Sequence, residues 1–227
     1  MRAVYLDCES APLPDAEAML PEFHYNKGTN DPVKRAEQIA TKRANALAEA
    51  ALDPDLCRIV ALGSWWDDEP EPTLLLCHNE YQEAAALAEF WETYRTIRHE
   101  HPYTVLVGSN LLGFDLPVMV RRSLYLRVDV PHLERGKYRH RDVIDLKNLL
   151  CDDDWLAWRS LDYYVRRFGL DVPHDPIDGS QIPALVAAGD WASVRSHLHC
   201  DLLKVRALAQ RIVPRLRREA EMAQQTV

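Results

Sequence analysis

No apolar run in the sequence approaches the roughly 20 residues that a membrane-spanning helix requires. The N-terminus opens directly on a strand-like run, Ala3-Val-Tyr-Leu6, with no signal peptide in view. A cytoplasmic protein with no membrane partner is therefore expected. Cys-x-x-Cys pairs are also missing. The five cysteines, Cys8, Cys57, Cys77, Cys151 and Cys200, are odd in number and widely scattered, which argues against zinc or redox work and for buried, reduced thiols. Positive charge is in deficit, with 27 Lys and Arg against 35 Asp and Glu and a formal net charge of -8. That balance argues against a protein that coats nucleic acid through its phosphates. Two divalent ions in an acidic site would halve the deficit, however, and local basic patches can still guide a strand. Internal repeats and low-complexity linkers are absent as well. With 227 residues and 47% hydrophobic content, the chain suits one α/β domain over 1–227 with a sizeable core.

What is present begins with a strand over Ala3–Asp7, followed by a long excursion read as a helical insertion at about 10–55. Within it, Asp31 can cap a helix with Pro32 at the first helical position, and the alanine-rich run Val33–Leu52 has strong helix propensity. Its apolar face is thin. Val33, Ile39, Leu47 and Leu52 alternate with Lys34, Arg35, Lys42 and Arg43, so this helix is expected to lie over the surface. Two apolar runs, Arg58–Trp66 and Thr73–Cys77, flank the acidic, proline-containing turn Asp67–Pro72 and read as a hairpin. Asn79 can cap a helix through about His99, and Thr104–Gly108 reads as a buried strand. Further helical patterns follow Asp115, occupy Ser160–Phe168 and Ile182–Ala188, and end in a long helix from near Asp190. Three strands, a helix and a fourth strand is ribonuclease H-like order. The expected fold is α/β, with a mixed sheet (a three-strand antiparallel meander plus parallel strands) flanked by helices.

Two short motifs put acids where strands meet loops. In Asp7-Cys8-Glu9, the period of a strand sends Asp7 and Glu9 to one face and Cys8 to the other, so two carboxylates could hold a cation. Asp-x-Glu is common by chance, and alone it favours solvated acids; it gains weight only if further acids arrive from elsewhere. The second motif, Asn110-Leu-Leu-Gly-Phe114-Asp115, places Asp115 just past a strand and ahead of Pro117, which suits a helix's first turn. Asn110 can fix the loop, and Phe114 offers a ring either to stack a base or to pack the core. In His197-Leu-His-Cys-Asp201, the i, i+4 spacing puts His197 and Asp201 one turn apart on one helical face. Val194, Leu198, Leu202, Val205, Leu208 and Ile212 form the adjoining apolar stripe. Zinc through His197, His199 and Cys200 fails on geometry, because those positions do not converge.

Taken together, these motifs resemble the DEDD superfamily of 3′-to-5′ exonucleases, specifically stand-alone predicted exonucleases related to the proofreading domain of B-family DNA polymerases. The resemblance extends to Ala51–Val60, Arg139-His-Arg-Asp142 with Val-Ile-Asp145, Ser160-Leu-Asp162, Phe168-Gly-Leu170 and Gly179-Ser-Gln-Ile182. It implies that Asp7 bridges two metal ions, Mg²⁺ or Mn²⁺, that Glu9 and Asp201 complete the first site, and that Asp115 holds the second. Ions about 3.5–4 Å apart would stabilise the attacking and leaving oxygens of an in-line displacement. The chain departs from the family's Tyr-containing subgroup at His197, which keeps that subgroup's spacing but brings imidazole. With an unperturbed pKa of about 6.5, imidazole suits the role of general base, whereas phenol, near 10, would orient water.

The expected activity is removal of mononucleotides from single-stranded DNA 3′ ends by two metal ions, with Asp7, Glu9, Asp115, His197 and Asp201 catalytic and Asn110 and Phe114 touching substrate. Proofreading or repair in trans for a separate polymerase would follow. The alternatives are an exoribonuclease and a non-catalytic ribonuclease H-like nucleic-acid-binding subunit. Arg135, Lys137, Arg139 and Arg141, Arg121 and Arg122, and Arg166 and Arg167 are the basic groups from which a phosphate contact could come. Asp142, Asp145 and Asp162 are expected to be structural hydrogen-bonders.

Overall fold

Alternation along the first strand, β1 (Arg2–Pro12), builds both layers of the protein. In the computed structural model, which describes residues 2–134, 141–152 and 155–214, Val4, Leu6 and Cys8 enter one core while Ala3 and Tyr5 enter another. The strand is covered on both sides and reads as a nearly continuous apolar run until Asp7. It pairs antiparallel with β2 (Cys57–Trp66), which pairs antiparallel with β3 (Thr73–Leu76). On its other side it runs parallel to β4 (Thr104–Gly108), which runs parallel to β5 (Val143–Asp145). The five-stranded order β3-β2-β1-β4-β5 is the expected ribonuclease H-like mixed sheet, with the antiparallel meander on one side and the parallel strands on the other.

A single-turn helix, α1 (Ala16–Met19), and a longer one, α2 (Pro32–Ala48), lie in the segment after β1. Asp31 caps α2 by accepting from the Val33 amide at 2.9 Å, and α2 buries none of its residues, as its thin apolar face implies. One face of the sheet is covered by α3 (Glu80–Glu100) and α4 (Asp115–Tyr125), whose Leu87, Trp91, Tyr94, Leu116 and Met119 meet Val4, Leu6 and Leu106. A buried ion pair locks this layer. Glu83 of α3 receives the Arg122 guanidinium of α4 at 2.7 and 2.9 Å and also accepts from the Ile59 amide of β2. The chain then passes through α5 (Leu146–Cys151), α6 (Leu161–Arg167) and α7 (Ile182–Ala188) to α8 (Trp191–Ile212), which covers the opposite face. Leu202, Val205, Leu208 and Ala209 of α8 pack beside Tyr5, Trp65 and Val107. Among the described residues, no helix is long and apolar enough to cross a membrane.

Three boundaries differ from expectation. β1 does not stop at Asp7 but continues to Pro12 through a register shift between Glu9 and Ser10, because Ile59, Arg58 and Cys57 keep pairing with it. The excursion therefore starts after Pro12, not at Ser10. The helix predicted over Val33–Leu52 ends at Ala48, and a 3₁₀ turn over Ala50–Leu52 follows, because Ala50 turns inward to pack with Ala16 and Leu56. Arg135, Lys137 and Arg139 lie outside the described residues.

Candidate active site

The acidic end of β1 meets three other segments here, and a glycine sets the spacing. Gly63 of β2 sits opposite Asp7 in the antiparallel register, and a Cβ there would come within 2.7 Å of Leu202 Cδ1. With only hydrogen on that face, α8 lies close against the sheet and brings His197 and Asp201 over the end of β1. Asp7 and Glu9 share the face toward α8, while Cys8 points into the other core, as the strand period predicted.

His197 is buried, at 4% exposure. Its Nε2 lies 3.5 Å from Glu9 Oε1 and 3.8 Å from Asp201 Oδ2. Its Nδ1 lies 2.5 Å from Oδ2 of Asp175, itself buried in the stretch between α6 and α7. A carboxylate can only accept, so Asp175 favours the tautomer with the proton on Nδ1, which turns Nε2 toward the acids. Glu9, His197 and Asp201 each present a ligand atom within 4.8 Å of the other two. On the far side of β1, Asp115 opens α4 and accepts hydrogen bonds from the Cys8 amide at 3.1 Å and the Cys8 thiol at 3.3 Å.

The electrostatics show acids crowded together. Burial pushes the Asp7 carboxyl well above its ordinary range, and the charges of Asp115, Glu9 and Asp201 push it further. Glu9 rises well above its own range through burial and then through Asp201, Asp115 and Asp175. Burial lifts Asp115 to about 7 despite the Cys8 hydrogen bonds, which act the other way. The Cys8 thiol is driven up by burial and by Asp115. The nearby cation is Lys204, whose Nζ lies 2.9 Å from Asp201 Oδ1 and 3.1 Å from Asp162 Oδ1. Burial alone would lower its pKa, but those two carboxylates raise it overall.

Such a set fits a divalent cation. Like charges held close in a low dielectric stay ionised only when a cation neutralises them, and the donors are carboxylate oxygens, with one imidazole nitrogen facing them. Hard oxygen donors suit Mg²⁺ or Mn²⁺ over a thiophilic metal. His199 and Cys200 do not join the group; His199 turns toward Trp65, with ring centroids 6.4 Å apart.

The loop that delivers Asp115 is built by its own residues. Asn110 takes a left-handed conformation, with φ of 59°, and its amide donates to Asp145 Oδ1 at 3.0 Å. The Leu112 amide donates to Asp145 Oδ2 at 2.8 Å, and Lys147 Nζ approaches Asn110 Oδ1 at 3.3 Å. A Cβ at Gly113 would collide with Asn110 Oδ1, so any other residue there would displace the Asn110 side chain. Phe114 is half-buried and packs against the α3–α4 core. Asp142 and Asp162 also serve as hydrogen-bonders, the first to Arg98 and the Glu134 amide, the second to Lys204.

Sequence reasoning overlooked Asp175 and Lys204. Lys204 was detectable, three residues after Asp201 on the same helix. Asp175 lies between His174 and Pro176 in a stretch with no periodicity, where nothing marks one acid above another. A cavity of about 700 Å³, lined in part by Leu13, Met19, Arg58, His78 and Tyr125, includes none of the site residues.

Residues 52–213 match the family described as predicted 3′-5′ exonucleases related to the exonuclease domain of PolB. The match begins after Asp7 and Glu9, which stand on the strand that pairs with the matched β2. An uncharacterized protein of Methanocaldococcus jannaschii is 33% identical over 136 residues, 59% of this chain and 69% of its own length. Asp115, His197 and Asp201 fall within the matched span and the register of β1 adds Asp7 and Glu9 beside them; the chain belongs to the family of predicted 3′-5′ exonucleases related to the exonuclease domain of PolB.

Proposed function

We propose that the protein is a divalent-metal-dependent 3′-to-5′ exonuclease that releases mononucleotides from single-stranded ends in the cytoplasm, with DNA preferred over RNA. It would serve a separate polymerase in trans, in proofreading or repair. The observation that carries this reading is the grouping of Glu9 and Asp201 about an imidazole whose Nδ1 is held by Asp175, with the charges of Asp7 and Asp115 acting on the same acids.

In this reading Asp7, Glu9, Asp115 and Asp201 would hold the two ions. When bound, two Mg²⁺ or Mn²⁺ ions supply charge stabilisation to the attacking and departing oxygens. The remaining steps belong to the chain. Nε2 of His197 accepts a proton from water as the water oxygen forms its bond to phosphorus. The bond from phosphorus to the 3′ oxygen breaks, the departing oxygen takes a proton from solvent, and a nucleoside 5′-monophosphate and a new 3′ hydroxyl are left. Asp175 keeps the imidazole in the tautomer that leaves Nε2 free to accept. Lys204 grips Oδ1 of Asp201, so that Oδ2 faces the site. Asn110 and Phe114, in the loop before Asp115, contact the terminal nucleotide.

The test is digestion of 5′-labelled single-stranded DNA and RNA with Mg²⁺, Mn²⁺ or chelator, beside an Asp7→Ala variant. A ladder shortening from the 3′ end, lost with chelator and in the variant, supports the reading. Shortening of RNA alone would transfer it to an exoribonuclease. Binding without cleavage in either metal would overturn it in favour of a non-catalytic subunit.

A further inference from the structure

A single strand leaving a metal site needs a surface to follow, and the arginines of this chain narrow the choice. Arg122 is consumed by Glu83, and Arg121 pairs with Asp55 at 2.7 Å. Arg141 faces Glu134 at 3.8 Å. Arg166 and Arg167, at the end of α6, are exposed and carry no ion pair to a described carboxylate. Tyr163 lies three and four residues before them, so all three share one helical face. Arg159, just before the Ser160 cap, extends that face and stands 5.8 Å from the Tyr163 ring centroid.

Beneath this basic edge lies an aromatic cluster. Trp158 meets Tyr164 with ring centroids 5.0 Å apart, and Tyr164 meets Tyr163 edge-on at 5.4 Å. Tyr164 is anchored in the α8-side core, while Tyr163 is 40% exposed and Trp155, earlier in the same segment, is 86% exposed. Exposed rings interleaved with exposed arginines suit a polymer that offers both flat apolar faces and negative charges. Asp162, beside Tyr163, bonds Lys204, which bonds Asp201, so this face starts two ion pairs from the acidic centre.

We infer that the face formed by Arg159, Tyr163, Arg166 and Arg167 is the track for single-stranded nucleic acid, with Tyr163 stacking a base and the arginines meeting the phosphates behind the terminal nucleotide. This deepens the nuclease reading and rests on it. Contacts behind the end predict a dependence on length, since a dinucleotide ends before the track and a 12-mer runs along it.

The experiment compares the full chain with Arg166→Ala/Arg167→Ala and with Tyr163→Ala, measuring anisotropy of labelled DNA dinucleotides and 12-mers with Ca²⁺ across a salt series. Retention of the Mn²⁺-induced rise in melting temperature verifies that each variant is folded. The track predicts that the arginine variant loses tenfold or more affinity for the 12-mer, and that its slope of log affinity against log salt falls by about 1.4, at ~0.7 per phosphate contact. Tyr163→Ala should lose about fivefold or more with its salt slope kept. Unchanged 12-mer affinity in both variants, or equal losses for dinucleotide and 12-mer, would overturn the track while leaving the nuclease reading intact. Loss of 12-mer affinity in the variants, in a protein whose wild type binds but never cleaves, would uphold the track and sink the nuclease reading. A wild-type protein that binds neither oligomer overturns both.

Discussion

His197 and Asp175 form the part of the site where a single atom decides the outcome. An imidazole can accept a proton only at the nitrogen whose partner is already protonated, and the 2.5 Å contact to Asp175 assigns that role to Nε2. His197→Ala should lower kcat by about 10²–10⁴-fold, the usual contribution of a positioned base, and His197→Tyr should fall sharply as well, with Mn²⁺ binding kept in both. Asp175→Asn should lower kcat with little change in KM, because it acts through the ring and not on substrate. In a His197→Ala background the same Asp175 change should cost nothing further, since both residues serve one proton transfer; additive losses in steady-state kinetics would contradict the pairing.

Asp115 predicts a pH dependence whose sign is fixed. Its folded pKa, near 7, lies above the ordinary 3.8, so between those values the folded protein binds more protons than the unfolded chain. Stability of the metal-free protein should therefore fall as pH rises from about 4 toward 7, with Asp7 and Glu9 adding in the same direction. Mg²⁺ or Mn²⁺ competes with those protons, so the melting-temperature gain on adding metal should grow over the same interval. Thermal melts with and without metal across that range measure it.

At the scale of elements, the site depends on how closely α8 and α4 are seated. Gly63→Val would press on Leu202 and Leu198, and overpacking of this kind costs about 1–3 kcal/mol. Because the displaced helix carries His197 and Asp201, activity should fall more than stability does, which paired kinetics and chemical denaturation would reveal. On the opposite face, Arg122→Ala would strand the Glu83 carboxylate at 0% exposure. Removing one partner of a buried pair costs about 3–5 kcal/mol, readable as a lowered urea midpoint.

The elements legible in the sequence were those with local signals. β4 was expected over Thr104–Gly108 and α7 over Ile182–Ala188, and both occur with those bounds, since an unbroken apolar run and a Pro near a helix start are read locally. Asn79, Asp190, Ser160 and Asp31 cap their helices as their residue types imply. β5 was not assigned as a strand, because three residues carry no period, and its place depends on β4 beside it. The clustering of Asp7, Asp115 and Asp201 is a tertiary fact that reached the reading only through family resemblance. The Asp175–His197 contact reached it by neither route.

Across the whole molecule, a net charge of -8 and a basic edge on α6 are compatible because charge is segregated. Acids concentrate at the end of β1, where cations belong, and arginines with no ion pair to a described carboxylate line the adjoining helix. The sheet supplies rigidity, with β1 buried between layers, and α8 closes the site from above. Ligand binding to the folded state alone should make the melting temperature depend on Mn²⁺ concentration, and Asp7→Ala should flatten that dependence.

The most direct measurement identifies the first product. Single-stranded DNA incubated with Mn²⁺ and the wild-type chain should release nucleoside 5′-monophosphates at the earliest time points, with no short oligonucleotides, and the release should vanish in Asp7→Ala and Asp201→Ala. Oligonucleotide products at those times, or monophosphate release that survives in either variant, would contradict the account.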